Sequence, residues 1–208
     1  MMGLTFYTNP MSRGRIVRWM LEETGADYET HFLRYGPDMQ AAGFAAINPM
    51  RKVPVIVHDG RVVTECGAIC AYLADAFPAA GLAPPPDDRA DYYRWMFFAA
   101  GPWEAATTNR ALGFDVPPDR AAMAGYGDFD RTLAALTGAV TRAPYICGER
   151  FTAADVYAGA QVSWGVQFGS IPKTPEIEAY LGRILSRPAY QRGMEMDDAA
   201  IADFGPAG

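Results

Sequence analysis

Over the first 78 residues the hydrophobic positions alternate between a period of two and a helical period; after that they keep the helical one. Leu4-Thr5-Phe6-Tyr7-Thr8 is a short β-rich run, closed by the turn-forming pair Asn9-Pro10. Ile16, Val17, Met20, Leu21 and Thr24 then recur at helical spacing and stop at Gly25, which predicts a first helix. Residues 27–33 read as a second strand and residues 36–46 as a short, weak helix. Residues 54–58 and 61–64 flank Asp59-Gly60, a two-residue hairpin signal. Cys66, Ile69, Cys70, Leu73 and Phe77 mark a further helix that ends before Pro78. The order is βαβαββα, which a mixed sheet with helices packed on it accommodates most simply.

Ala79-Ala80-Gly81 and Pro84-Pro85-Pro86 bracket a change of composition, so residues 1–79 form one expected domain, 80–86 a linker and 87–208 a second domain. Everything after the linker reads as helix. Tyr92, Trp95, Met96, Ala99 and Trp103 share an aromatic face, and Gly101-Pro102 is expected to kink or end that helix. Phe129, Leu133, Leu136 and Val140 form another stripe. Thr174-Pro175 reads as an N-cap followed by an N1 proline, ahead of Ile177, Leu181 and Ile184. In Phe151-Thr152-Ala153-Ala154-Asp155-Val156, Thr152 is placed to cap a helix start and Asp155 to reach back to the Thr152 amide, with Phe151 and Val156 as a hydrophobic staple.

The 208 residues carry a formal charge of −6, with an isoelectric point near 4.9. That balance argues against sequence-independent binding of nucleic acid, which requires a basic surface. No apolar run reaches the ~20 residues a bilayer span needs, and the N-terminus lacks a secretory pattern. The cysteines Cys66, Cys70 and Cys147 make no disulfide framework. Cys66 and Cys70 stand at i, i+4, a spacing shared by metal pairs and by small apolar residues on a helix; His31 and His58 lie far from any further ligand motif. A cytoplasmic, metal-free protein is expected.

Three places in the first domain carry candidate chemistry. Arg13, Arg15 and Arg18 crowd the start of the first helix, where free amides and guanidinium groups together favour an anion, and Ser12 stands ready to cap the helix or to donate its hydroxyl. In Arg51-Lys52-Val53-Pro54-Val55, Pro54 opens a strand, trans or cis; a cis bond would turn the Val53 backbone outward to pair with an extended peptide. At Glu65-Cys66-Gly67 a helix start offers amides to a carboxylate, and Glu65 offers a partner for an ammonium group. Together these suit γ-glutamyl-cysteinyl-glycine.

Residues 7–25 (YTNPMSRGRIVRWMLEETG), 48–55 (NPMRKVPV), 65–73 (ECGAICAYL) and 151–155 (FTAAD) resemble the cytosolic glutathione transferase family, and the likeness runs nearly end to end. The resemblance implies an α+β thioredoxin-like domain followed by an all-helical domain, usually as a homodimer. It implies a cis proline at Pro54, pairing of the Val53 backbone with the glutathione cysteinyl group, Glu65 and Cys66 at the γ-glutamyl end, and Lys52 near the glycyl carboxylate. The family more often has serine where Cys66 stands, and a thiol is the poorer donor, which shifts that contact toward the backbone amide. Ser12 looks like the residue that activates the sulfur, with Tyr7 and Asn9 as alternatives and Arg13 adding positive potential. A small hydrophobic electrophile would lie against Met11, Trp103 and Trp164. Peroxidase, isomerase or dehalogenase chemistry on the same fold, or a non-catalytic interaction module, are the rival readings.

Overall fold

The computed structural model describes residues 3–204. The chain divides into two compact units: residues up to Leu82 together with those from Ser186 onward, and residues 83–185 between them.

In the first unit, β1 (Leu4–Thr8), β2 (Glu29–Phe32), β3 (Val55–His58) and β4 (Arg61–Thr64) form one sheet in the order β2-β1-β3-β4. β1 is parallel to β2 and antiparallel to β3, with Phe6 opposite Ile56 and Tyr7 opposite Val55. Successive strand residues face opposite sides, and both faces of this sheet are covered. Phe6 lies under α1 (Gly14–Thr24), whose Arg18 guanidinium sits 5.0 Å from its ring centre. On the other face Val55 and Tyr7 pack with Met39 and Phe44. These two come from α2 (Pro37–Gln40) and α3 (Ala42–Ile47), short helices that interrupt the single expected one at an extended Ala41. Asp59 and Gly60, both at positive φ, turn the β3–β4 hairpin as the sequence predicts. Gly25, left-handed, closes α1, and α4 (Cys66–Ala76) ends just before Pro78.

The last helix returns to this first unit and does not extend the second, although the sequence reading assigned it there. It follows the chain through α5 (Ala90–Phe98), α6 (Glu104–Ala111), α7 (Phe129–Arg142), α8 (Ala153–Gln167) and α9 (Pro175–Leu185) as α10 (Pro188–Phe204). Opposite charges fasten it to α1: Arg187 to Glu23 at 2.6 and 2.7 Å, Arg192 to Glu22 at 3.1 Å, Arg15 to Asp198 at 2.7 Å. Beneath them Arg18 is fully buried, bonded to Asp197 at 3.2 Å, to Tyr28 at 2.9 Å and to Thr30 at 2.8 Å.

In the second unit, α5 does not end at Gly101-Pro102. It runs through a wide π-type turn at Ala99–Trp103 into α6, because the looser i→i+5 turn accommodates a proline that lacks an N–H. α8 is enclosed on nearly every side. Its capping box forms as expected: Thr152 accepts from Ala154 N–H at 3.3 Å, and Asp155 accepts from the Thr152 amide at 2.9 Å. Asp155 also accepts from Ile146 N–H at 2.8 Å and from the Tyr180 hydroxyl at 3.1 Å, tying α9 and the preceding loop to α8. No helix among the described residues is long and apolar enough to cross a membrane.

Candidate active site

Strand register gathers the three candidate places at one end of the sheet. Tyr7 is level with Val55, Val55 with Thr64, and Thr8 with Phe32. The segment after β1, the one before β3, the one after β4 and the one after β2 therefore emerge together. Residues 40 or more positions apart in sequence thus share one rim.

Asn9 organises the first of these segments. It is buried, its Oδ1 accepts from Met11 N–H at 2.9 Å, and its Nδ2 donates to the Leu33 carbonyl at 2.9 Å. With a partner at both ends of its side chain, Asn9 shapes the turn. Ser12 Oγ donates to the Asn9 carbonyl at 2.7 Å and accepts from Gly14 N–H at 2.9 Å, so it braces the turn that leads into α1, whose N-cap position belongs to Arg13 and not to the expected Ser12. The other early amides are also used: Ser12 N–H to Asn9, Arg15 N–H to Ser12 and Ile16 N–H to Arg13. The anion site expected from free amides and three arginines is therefore much reduced. Arg18 is buried against Asp197 and Arg15 is turned to Asp198, which leaves Arg13 exposed at the helix start. Gly14 is required here, because a Cβ would overlap Thr8 Oγ1 and crowd Ser12 Oγ.

The second segment repeats the device. Buried Asn48 accepts from Met50 N–H at 3.0 Å and donates to the Lys52 carbonyl at 2.8 Å. Asn-Pro-Met occurs at 9–11 and again at 48–50, a recurrence that would have flagged Asn48 in the sequence. The loop it shapes leaves the Lys52 side chain exposed and leads into a cis Val53–Pro54 bond, with Val53 outside the β3 ladder.

The third segment turns at Glu65, an exposed residue at φ 67° and ψ 116°, where side chains other than glycine are rarely found. It caps α4. The adjoining Cys66 thiol is buried and points to the Arg13 carbonyl at 3.8 Å, joining the third segment to the first. That thiol being engaged, the Cys66 amide is what this position offers a carboxylate. Burial, reinforced by the neighbouring Cys66 thiol, pushes the Cys70 thiol well up. Among the described residues no group of three or more His, Cys, Asp and Glu side chains is placed to hold a metal ion.

Tyr7 lies on the strand, its ring stacked on His31 at 5.1 Å and packed against Phe44. Met11 is half-buried in the Asn9 turn. Trp103 is a core residue of the second unit, 2 % exposed against Phe129, and so offers a ligand little surface; Trp164 on α8 is half-buried. Sequence reasoning missed Tyr35, which no motif marks. The loop after β2 carries it to the Ser12 turn, where its hydroxyl donates to the Met11 carbonyl at 3.4 Å.

Residues 2–75 match the sequence model of the glutathione S-transferase N-terminal domain. Glutathione S-transferase GstA of Escherichia coli O157:H7 is 27 % identical over 74 % of this chain and 78 % of its own. Among solved structures, a glutathione transferase from Methylococcus capsulatus superposes with a TM-score of 0.74 at 28 % identity, over 94 % of this chain and 99 % of that one. A sphingomonad glutathione S-transferase complexed with glutathione gives 0.73 at 27 % identity, over 93 % and 98 %. Together with the thioredoxin-like sheet and the helices that follow it, these matches show that residues 2–75 resemble the glutathione S-transferase N-terminal domain and that the chain is similar to glutathione transferases over most of its length.

Proposed function

We propose that the chain binds glutathione along the rim described above and activates its thiol through Ser12 for attack on a small hydrophobic electrophile. The observation that carries this reading is the register of the sheet, which sets Ser12, the Val53 backbone and the Glu65–Cys66 turn side by side. Val53 meets the cysteinyl backbone as an added strand would, the Cys66 amide and Glu65 receive the γ-glutamyl carboxylate and ammonium, and Lys52 approaches the glycyl carboxylate. Ser12 Oγ exchanges its bond to the Asn9 carbonyl for one to the sulfur. A hydrogen bond to the charged form favours thiolate over thiol, and Arg13 adds positive potential. Met11, half-buried beside Ser12, contributes apolar surface for the electrophile. The setting is a cytoplasmic homodimer, for which Met50 and Phe97, 70 % and 72 % exposed, offer apolar surface.

The test is a titration of the bound glutathione thiol by thiolate absorbance, in wild type and Ser12→Ala. A depressed pKa that returns toward the free value in the variant is expected. An equally depressed pKa in Ser12→Ala removes Ser12 from the role. Binding with no depression in either protein rejects thiol activation altogether.

A further inference from the structure

The turn that carries Ser12 is closed by Ser12 N–H donating to the Asn9 carbonyl at 3.1 Å, which makes the Pro10–Met11 peptide its central unit. The two common kinds of such a turn differ by about a half-rotation of that peptide, so its orientation decides how the chain arrives at Ser12. Both sides of the peptide are held. Its N–H, on Met11, donates to Asn9 Oδ1 at 2.9 Å, and its carbonyl, on Pro10, accepts from Arg15 Nη1 at 3.3 Å.

Arg15 is itself held from outside the turn. Its Nη2 donates to Asp198 Oδ1 at 2.7 Å and to Met194 Sδ at 3.3 Å, both on α10. A guanidinium is a rigid planar fork with donors on both prongs, so fixing one prong on α10 fixes where the other meets the turn. Asp198 is 64 % exposed, and an ion pair with so exposed a carboxylate adds little to stability; its consequence here is geometric. The other ion pairs between these helices, Arg187 with Glu23 and Arg192 with Glu22, lie at the opposite end of α1, away from the turn. The end of α10 also reaches the far flank of the turn: the Phe204 ring packs edge-on against Phe32 at 5.7 Å, next to Leu33, whose N–H and carbonyl bond Thr8 and Asn9.

We propose that Arg15 is a positioning residue for thiol activation. With one prong on α10 and the other on the Pro10 carbonyl, it fixes the central peptide of the turn and thereby the direction in which Ser12 Oγ meets the glutathione sulfur. The C-terminal helix thus helps to hold the site in shape. This rests on the Ser12 reading above.

Two measurements test this: amide hydrogen exchange of residues 11–14 in the ligand-free protein, and the bound-thiol titration with glutathione. The variants are Arg15→Lys, Asp198→Asn, Arg192→Gln and Ser12→Ala. Lysine keeps the charge but is a point donor on a flexible stem, so it does not brace α10 and the turn at once. Arg15→Lys is expected to speed exchange about tenfold and to raise the bound thiol pKa by about half a unit. Asp198→Asn moves both in the same direction and by less. Arg192→Gln, which breaks an ion pair between the same two helices, moves neither. Wild-type exchange in Arg15→Lys overturns the inference. So does a thiol pKa that falls in Asp198→Asn, the result of an unmasked cation acting through space, or an Arg192→Gln that loosens the turn as much as Arg15→Lys. If the thiol pKa shifts in Ser12→Ala and not in Arg15→Lys, this inference fails and the Ser12 reading stands. A shift in Arg15→Lys with none in Ser12→Ala sinks both.

Discussion

The turn at Asn9 and the helix start at Asp155 are built by the same physics and serve different ends. Each buries one polar side chain and gives both of its polar atoms a partner, because an unmet buried donor or acceptor costs about 1–3 kcal/mol. Asp155 gathers Thr152, Ile146 and Tyr180 inward and leaves nothing facing solvent. Asn9 is equally buried, but the segments it fastens carry Ser12, Arg13 and Tyr35 to the surface. A satisfied buried polar group therefore does not by itself mark a functional site. What distinguishes the two is whether the backbone it holds presents further side chains that are only partly committed.

The largest effect that would separate the two regions is expected from Asp155→Ala. It orphans two amides and a tyrosine hydroxyl in the core, and a denaturant titration should show a loss of about 3–5 kcal/mol. Burial pushes the Asp155 carboxyl up from 3.8 to about 6, against the pull of its donors. The folded protein then holds a proton that the unfolded chain has released, so stability falls as pH rises from about 4 to about 6. Asp155→Asn should flatten that slope; a slope unchanged in Asp155→Asn would assign it elsewhere. Next in size is Asn9→Ala, expected to cost about 2 kcal/mol and, unlike the Asp155 variants, to raise the pKa of bound glutathione in the protein that remains folded. If glutathione chemistry tracks stability equally in both regions, the distinction between them fails. The smallest effect is a gain. Glu65→Gly removes a side chain from a positive-φ position and should stabilise by up to about 1 kcal/mol while weakening glutathione retention. A variant that is less stable, or that binds as tightly as wild type, would show that the backbone at Glu65 is not held there for the ligand.

Much of the fold was legible because its signals are short-range. The hairpin at Asp59-Gly60, the stop at Gly25 and the capping box at Thr152–Asp155 each depend on residues within a few positions of one another, and each appears where expected. The rim was partly legible: Ser12, Val53 and Glu65 stood out one at a time. The arginines misled. Three of them at one helix start look like an anion site until Arg18 and Arg15 find Asp197 and Asp198. Asn48 announced itself only through its repeated Asn-Pro-Met, and Tyr35 through nothing local at all.

Taken alone, the sequence determined the order of strands and helices in the first unit and several of their ends, at Gly25, at Asp59-Gly60 and before Pro78. Periodicity, capping and turn chemistry act over one or two turns of chain, and they are written wherever those residues stand. Only the tertiary structure decided which charges are spent on holding the fold and which remain for chemistry. Arg18 meets its carboxylate 179 residues away on α10, and Met11 meets Tyr35 across the helix and strand that separate them. Those pairings depend on the path of the whole chain, and a window of neighbouring residues carries no record of that path.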